Sequence, residues 1–164
     1  PDLIGMVSHG YTFGTRDGIF DVGSRHLGVL ICFEIAIDDI SRDLVHSGAQ
    51  VILSQTNNAD FGHSDETFQQ VAIAKLRAIE TGRAVVNDST VGVSAVFAPD
   101  GKILDQLPTF EPGVMVTKVP LRTGLTPAMA IGSGLDLAIN LAALALIAIG
   151  SGIRRAKKKA PSDS

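Results

Sequence analysis

A single cysteine, Cys32, follows the apolar run His26-Leu27-Gly28-Val29-Leu30-Ile31, and a glutamate, Glu34, stands two residues beyond it. A run of that kind is typical of a strand buried on both faces, and α/β proteins present their chemistry at the C-terminal ends of such strands. A thiol placed there can act as the nucleophile of an acyl transfer, carrying the acyl group as a thioester. The helix expected a few residues later brings unpaired backbone N–H groups near the sulfur, and the N–H of Phe33 is the candidate oxyanion donor. Glu34 is the candidate acid/base or positioning carboxylate. The opposing reading makes Cys32 inert core filling and Glu34 a solvated carboxylate at a helix entry.

Other chemistry is poorly supplied. One cysteine permits neither an internal disulfide nor a cysteine-rich zinc site. His9, His26, His46 and His63 show no H-E-x-x-H pattern and no i, i+4 pairing, so neither a metal nor another cofactor is expected. A net charge of −3, with the dense basic residues confined to Arg154, Arg155, Lys157, Lys158 and Lys159, argues against a nucleic-acid partner. Apolar residues make up 45% of the chain and charged ones 19%, which is too oily for a disordered chain. The 164 residues suffice for one ordinary domain, and the chain opens at Pro1 without a signal-peptide pattern, as a piece of a longer protein would.

The elements that must position Cys32 follow from pattern. Residues 1–26 read as loops with one short strand at most, and 26–32 as a buried strand. A helix is expected over 37–47, ending near Gly48, and a second buried strand over 50–54. Strand, helix and strand in so few residues define an α/β layer arrangement. Ser64 is placed as an N-cap with Asp65 and Glu66 in the first turn. The helix behind it puts Phe68, Val71, Ala72, Leu76 and Ile79 on one face before Gly82 ends it. Strands follow at 84–88 and 93–98. The turn Pro99-Asp100-Gly101-Lys102 then returns 103–107 antiparallel, and 114–119 is a last strand.

From Leu125 to Ile153 the composition turns aliphatic. About 20 apolar residues cross the hydrocarbon core, so 125–153 is expected to be a transmembrane helix, with Asp136 as a cost near one end. The basic residues behind it, in a disordered tail over 154–164, would hold the C-terminus in the cytoplasm.

Several blocks resemble one family. Leu30-Ile31-Cys32-Phe33-Glu34-Ile35 is similar to the segment carrying the cysteine of the nitrilase (carbon–nitrogen hydrolase) superfamily, in the form C-Y/F-E-I found in apolipoprotein N-acyltransferases. Thr56-Asn57-Asn58-Ala59-Asp60-Phe61-Gly62 resembles the family loop S-N-D-A-W-F-G. Ala74-Lys75-Leu76-Arg77-Ala78-Ile79-Glu80 resembles the helix core A-R-x-R-A-x-E. Gly92-Val93-Ser94-Ala95-Val96 with Gly101-Lys102-Ile103 resembles the hairpin G-V-T-A-V…G-x-I. Thr123-Gly124-Leu125-Thr126-Pro127 resembles the lead into the last membrane helix. The blocks come in family order over residues 27 to about 150.

The resemblance implies residues 1–124 to be the C-terminal half of a four-layer α-β-β-α sandwich, with an apolar sheet face left open. It implies a bacterial membrane enzyme, multi-pass when whole, whose catalytic domain is extracytoplasmic. Cys32 would take a fatty acyl group from a phospholipid and pass it to a diacylated apolipoprotein, with Phe33 and Glu34 at positions that matter for activity. Asn58, Asp60, Phe61 and Gly62 would border the substrate. Two departures stand out. Asp60 occupies the place of a tryptophan, and the glutamate and lysine of the family triad have no counterpart, since residues 1–31 contain neither type. Both partners are therefore expected in sequence beyond this chain, which alone would be inactive; Arg16 cannot shuttle a proton in the lysine's place, and His9 or His26 as base is the minor alternative. The alternatives are a carbon–nitrogen hydrolase acting on a small amide or nitrile, and an inactive membrane-tethered binding module.

Overall fold

The computed structural model describes residues 14–132 and 134–159, the side chains of Leu135, Asp136 and 152–159 excepted. The reading of His9, of the loops over 1–13 and of the tail over 160–164 therefore lies outside the described residues. The chain divides into two compact units, Pro1–Gly124 and Leu125–Ser164.

In the first unit one sheet of six strands runs in sequence order: β1 (Ile19–Val22), β2 (Arg25–Ile31), β3 (Val51–Thr56), β4 (Ala84–Ser89), β5 (Ala95–Phe97) and β6 (Ile103–Gln106). β2, β3 and β4 are parallel, and the outer pairs β1/β2, β4/β5 and β5/β6 are antiparallel. Helices α1 (Asp38–His46) and α2 (Glu66–Thr81) make the two parallel crossovers. Strand alternation sends Leu30, Ile52 and Val85 inward, all fully buried. Each such side chain contributes roughly 1.5–3 kcal/mol by leaving water. The other face of the same strands carries Val29, Leu53 and Val86, half-buried. The sheet is the mixed α/β layer expected from the sequence, and Ile103–Gln106 returns antiparallel to β5 as the turn at 99–102 requires.

Several expectations are corrected. Residues 114–119 join no ladder among the described residues; Val114 and Val116 are 86% and 91% exposed, and Thr117 is tied to Asp105 by its hydroxyl at 2.6 Å instead. More telling, α2 is turned away from the orientation its apolar stripe suggests. Phe68, Leu76 and Ile79 are about half exposed, whereas Thr67, Ala74, Arg77, Ala78 and Thr81 face inward. The inward stripe pairs small residues, which allow close approach to the sheet, with polar ones that bond to buried backbone. Gly82, left-handed at φ +63, ends the helix as expected, while the cap sits at Asp65 rather than Ser64.

Arg83 shows the cost of that arrangement. Its side chain is buried, and burial pushes the guanidinium down from its usual range. Its only acceptors among the described residues are carbonyls: Ala49 from Nε at 2.7 Å, and Gly124 at 2.7 Å and Thr81 at 3.3 Å from one terminal nitrogen. This one residue joins the entry of β3, the end of α2 and the close of the first unit.

In the second unit the aliphatic run is broken into α3 (Pro127–Ile131), capped by the Thr126 hydroxyl on Met129 N at 3.1 Å, and α4 (Gly134–Lys159). Gly132 adopts φ +59 between them, which a helix cannot continue through. Among the described residues no helix is long and apolar enough to cross a membrane, and the helix expected over 125–153 is interrupted at Gly132. α4 also runs through the basic residues expected as a tail. Leu137, Leu141, Leu144, Ile147 and Ile149 on it are all more than half exposed.

Replacing Arg83 with Met is expected to leave those carbonyls without a donor, at ~1–3 kcal/mol for each buried one. A clear fall in the urea-unfolding midpoint checks this, and an unchanged midpoint would mean that water replaces the guanidinium.

Candidate functional site

β2 ends at Ile31, and the next residue turns the chain sharply. Cys32 has φ +53, a left-handed conformation that costs a non-glycine residue of order 1–3 kcal/mol and persists only where the surroundings impose it. It opens a 3-10 turn, Cys32–Ala36, pinned underneath by the fully buried Ile35. The parallel register, with Ile31 opposite Gln55, brings the end of β3 alongside, and Thr56 Oγ1 lies 3.7 Å from Cys32 Sγ.

Three side chains hold the turn. Glu34 folds back so that its Oε2 accepts the Ile31 N–H at 2.7 Å. Arg77, reaching from α2, donates to the carbonyls of Ile35 at 2.9 Å and Ala36 at 3.0 Å, and also binds Asp38 and Glu80. Burial disfavours its charge, but the hydrogen bonds it donates to Asp38 and Glu80 outweigh that and hold the guanidinium above its usual range. Gln70, two turns earlier on α2, donates from Nε2 to the Cys32 carbonyl at 3.2 Å and to Thr56 Oγ1 at 2.9 Å.

Behind the turn lies a buried polar chain. Thr56 Oγ1 is 3.0 Å from Asn58 Oδ1, and Asn58 Nδ2 donates to Thr67 Oγ1 at 3.2 Å. Thr67 Oγ1 also accepts from Val93 N at 3.4 Å, beside Gly92 at φ +97. A Cβ on Gly92 would stand 2.0 Å from that oxygen, so only glycine permits the contact. Asn57 closes the outer side, its Oδ1 accepting from Thr90 Oγ1 at 2.6 Å.

Cys32 opens onto a mostly apolar cleft of about 160 Å³ that includes Phe33, Ile35, Phe61, Gln70 and Ile73. Of the residues named from the sequence, Cys32, Phe33 and Phe61 meet there. Glu34 supports the turn from the side. Asn58 is buried in the polar chain, Asp60 is exposed on the 3-10 turn Ala59–Phe61, and Gly62 ends that turn at φ +53. Thr56, Thr67, Gln70 and Arg77 received no role from the sequence. Their signal was present, since 67, 70, 74, 77, 78 and 81 make a helical stripe, but hydrophobicity drew attention to the opposite face.

His26 does not serve as a base. It sits at the far end of β2, about 20 Å from Cys32 at ~3.3 Å per residue. There its Nδ1 lies 2.5 Å from Asp21 Oδ1. Arg16 borders α1 near Asp43 and Ser47, away from the sulfur.

A cysteine on a strained turn after a parallel strand, with an apolar cleft before it, invites comparison with known proteins. Residues 6–125 match the model of the carbon-nitrogen hydrolase family, and the chain belongs to that family. Its curated relatives include the apolipoprotein N-acyltransferase of Mycolicibacterium smegmatis, 36% identical over 136 residues, and that of Shewanella oneidensis, 41% identical over 129. These matches cover 83% and 79% of this chain but only 23% and 24% of the relatives, so the chain spans about a quarter of their length. Among solved structures, a mutant amidase from Nesterenkonia sp. AN1, with acrylamide added at its active-site cysteine, is 26% identical. It matches with a TM-score of 0.57, over 67% of this chain and 45% of the amidase. Another amidase structure from Nesterenkonia sp., 23% identical with a TM-score of 0.60, covers 80% of this chain and 49% of its own, and bears on the fold alone.

Gly92→Ala is expected to disrupt the Thr67–Asn58–Thr56 chain, through strain of order 1–3 kcal/mol at a positive φ together with the clash. Faster amide exchange at Val93 relative to β2 would report it; an unchanged pattern would mean that the Thr67 contact survives the substitution.

Proposed function

We propose that Cys32 is the nucleophile of an N-acyltransferase acting on apolipoproteins. The observation that carries this reading is the left-handed turn at Cys32, held at the end of a parallel strand and facing an apolar cleft. The names of the two curated relatives supply the reaction class, and the covalent adduct at the amidase cysteine supports a nucleophilic thiol at such a site.

In the first half-reaction Cys32 Sγ attacks the ester carbonyl of a phospholipid. The S–C bond forms, the ester C–O bond breaks, and the lysophospholipid leaves with the thiol's proton. In the second, the N-terminal amine of a diacylated lipoprotein attacks the thioester, the N–C bond forms and the thiol is regenerated. The oxyanion formed in each half-reaction needs a preorganised donor, for which the Phe33 N–H is the candidate. Phe61, at the mouth of the cleft, is suited to the acyl chain, and the loop through Asn58, Asp60 and Gly62 shapes that border.

The proton acceptor and the cation of the family triad have no counterpart in residues 1–31, which hold no Glu and no Lys. We assign both to the part of the longer protein that this chain does not span. Both substrates are lipids, so the reaction belongs at a membrane surface, and the exposed aliphatic side chains of α4 are what this chain offers to lipid or to neighbouring helices. The expected orientation, with the catalytic unit outside the cytoplasm and the C-terminus inside, belongs to the same proposal.

In the full-length protein, Cys32→Ala is expected to abolish transfer of acyl chains to a diacylated lipopeptide in phospholipid micelles. The present chain alone should show no turnover, because losing a triad partner costs about 10⁴-fold or more. Full activity of the Cys32→Ala variant would end the assignment. Release of ammonia from a simple amide, without lipopeptide acylation, would favour a hydrolase instead.

A further inference from the structure

The 3-10 turn poses a question of aim. An oxyanion donor works only if it points at the place where charge develops before the charge is there. The Phe33 N–H shares a planar trans peptide with the Cys32 carbonyl, so the two groups point in opposite directions and move as one. No strand ladder fixes that peptide, because the pairing of β2 with β3 stops at Ile31 and Gln55.

One side chain is bonded to it. We propose that Gln70 is the positioning residue for the oxyanion donor: by holding the Cys32 carbonyl, its amide fixes the plane of that peptide and with it the direction of the Phe33 N–H. This rests on the reading of Cys32 as an acyl-transfer nucleophile. The contact, 3.2 Å from Nε2 to the carbonyl oxygen, is a plain hydrogen bond. The Gln70 amide is itself restrained. Its Nε2 and Oε1 lie 2.9 and 3.1 Å from Thr56 Oγ1, which is buried and linked through Asn58 to Thr67. The direction of the Phe33 N–H thus traces back through Gln70 and Thr56 to the core of the sheet. Arg77 holds the two later carbonyls of the same turn, so α2 grips it at both ends.

Two other roles for Gln70 are distinguishable from this one. It could act on the sulfur through Thr56, which is 3.7 Å from Sγ, or it could merely stabilise the fold. The separating experiment compares two reactions of one thiol in the full-length protein. Acyl transfer passes through an oxyanion. Alkylation by iodoacetamide does not: the S–C bond forms as the C–I bond breaks and iodide leaves.

Gln70→Met keeps the side chain's length and removes its donors, and Gln70→Ala checks it. Both variants are expected to lower kcat for lipopeptide acylation by about 10²–10³-fold, the loss typical of one oxyanion donor. The rate of Cys32 alkylation should hold near its original value. A parallel fall of acylation and alkylation would overturn the proposal in favour of a role at the sulfur or in the fold, and undiminished kcat would overturn it outright. A Cys32→Ala control that still transfers acyl groups would instead remove the reading on which the proposal stands.

Discussion

A residue in the left-handed conformation at the end of a parallel strand does not stay there by its own preference, and in this protein α2 keeps it there. The interactions run from Gln70 to the Cys32 carbonyl and from Arg77 to the carbonyls of Ile35 and Ala36, while Glu34 closes the loop onto Ile31. Each is a long polar side chain with a backbone partner at the turn. Together they offset a conformational cost of order 1–3 kcal/mol at Cys32 and, more usefully, leave the turn one geometry. Arg77 can do this because Asp38 and Glu80 sustain its charge against burial.

That demand explains the odd orientation of α2. A helix serving only as a lid would bury Phe68, Leu76 and Ile79. This one leaves them about half exposed and spends its inner face on Thr67, Arg77 and Thr81, with Gln70 beside them half-buried. Burying polar groups is tolerable only when they are paired, and here the pairing is with the turn and with one another. Stability has been traded for definition at one point of the backbone. Arg83 extends the same practice to the lower end of the helix, where its acceptors are carbonyls alone.

Much of this was legible in the sequence. The strand before Cys32, both crossover helices, the antiparallel return at Ile103 and the left-handed end at Gly82 follow from short-range rules that the tertiary structure did not override. The boundary before Leu125 coincides with a change of composition. What the sequence hid depends on distance in space. The facing of α2 could not be read from hydrophobicity, because its buried side answers to the turn at Cys32 some forty residues away. Residues 114–119 alternate like a strand, yet strand identity needs a ladder partner and none is offered. The aliphatic run after Leu125 reads as one helix until Gly132 breaks it. The burial of Asn58, whose amide bonds Thr56 and Thr67, could not be read from the loop motif.

The central claim is that the strained turn exists to present Cys32 as the atom that carries the acyl group. The most direct measurement is peptide mapping by mass spectrometry of the full-length protein, quenched in acid after incubation with phospholipid alone. A single acyl chain on the peptide containing Cys32, lost on neutral hydroxylamine treatment, is the expected result. An acyl group found on another residue, or none at all while lipopeptide acylation proceeds, would contradict the account.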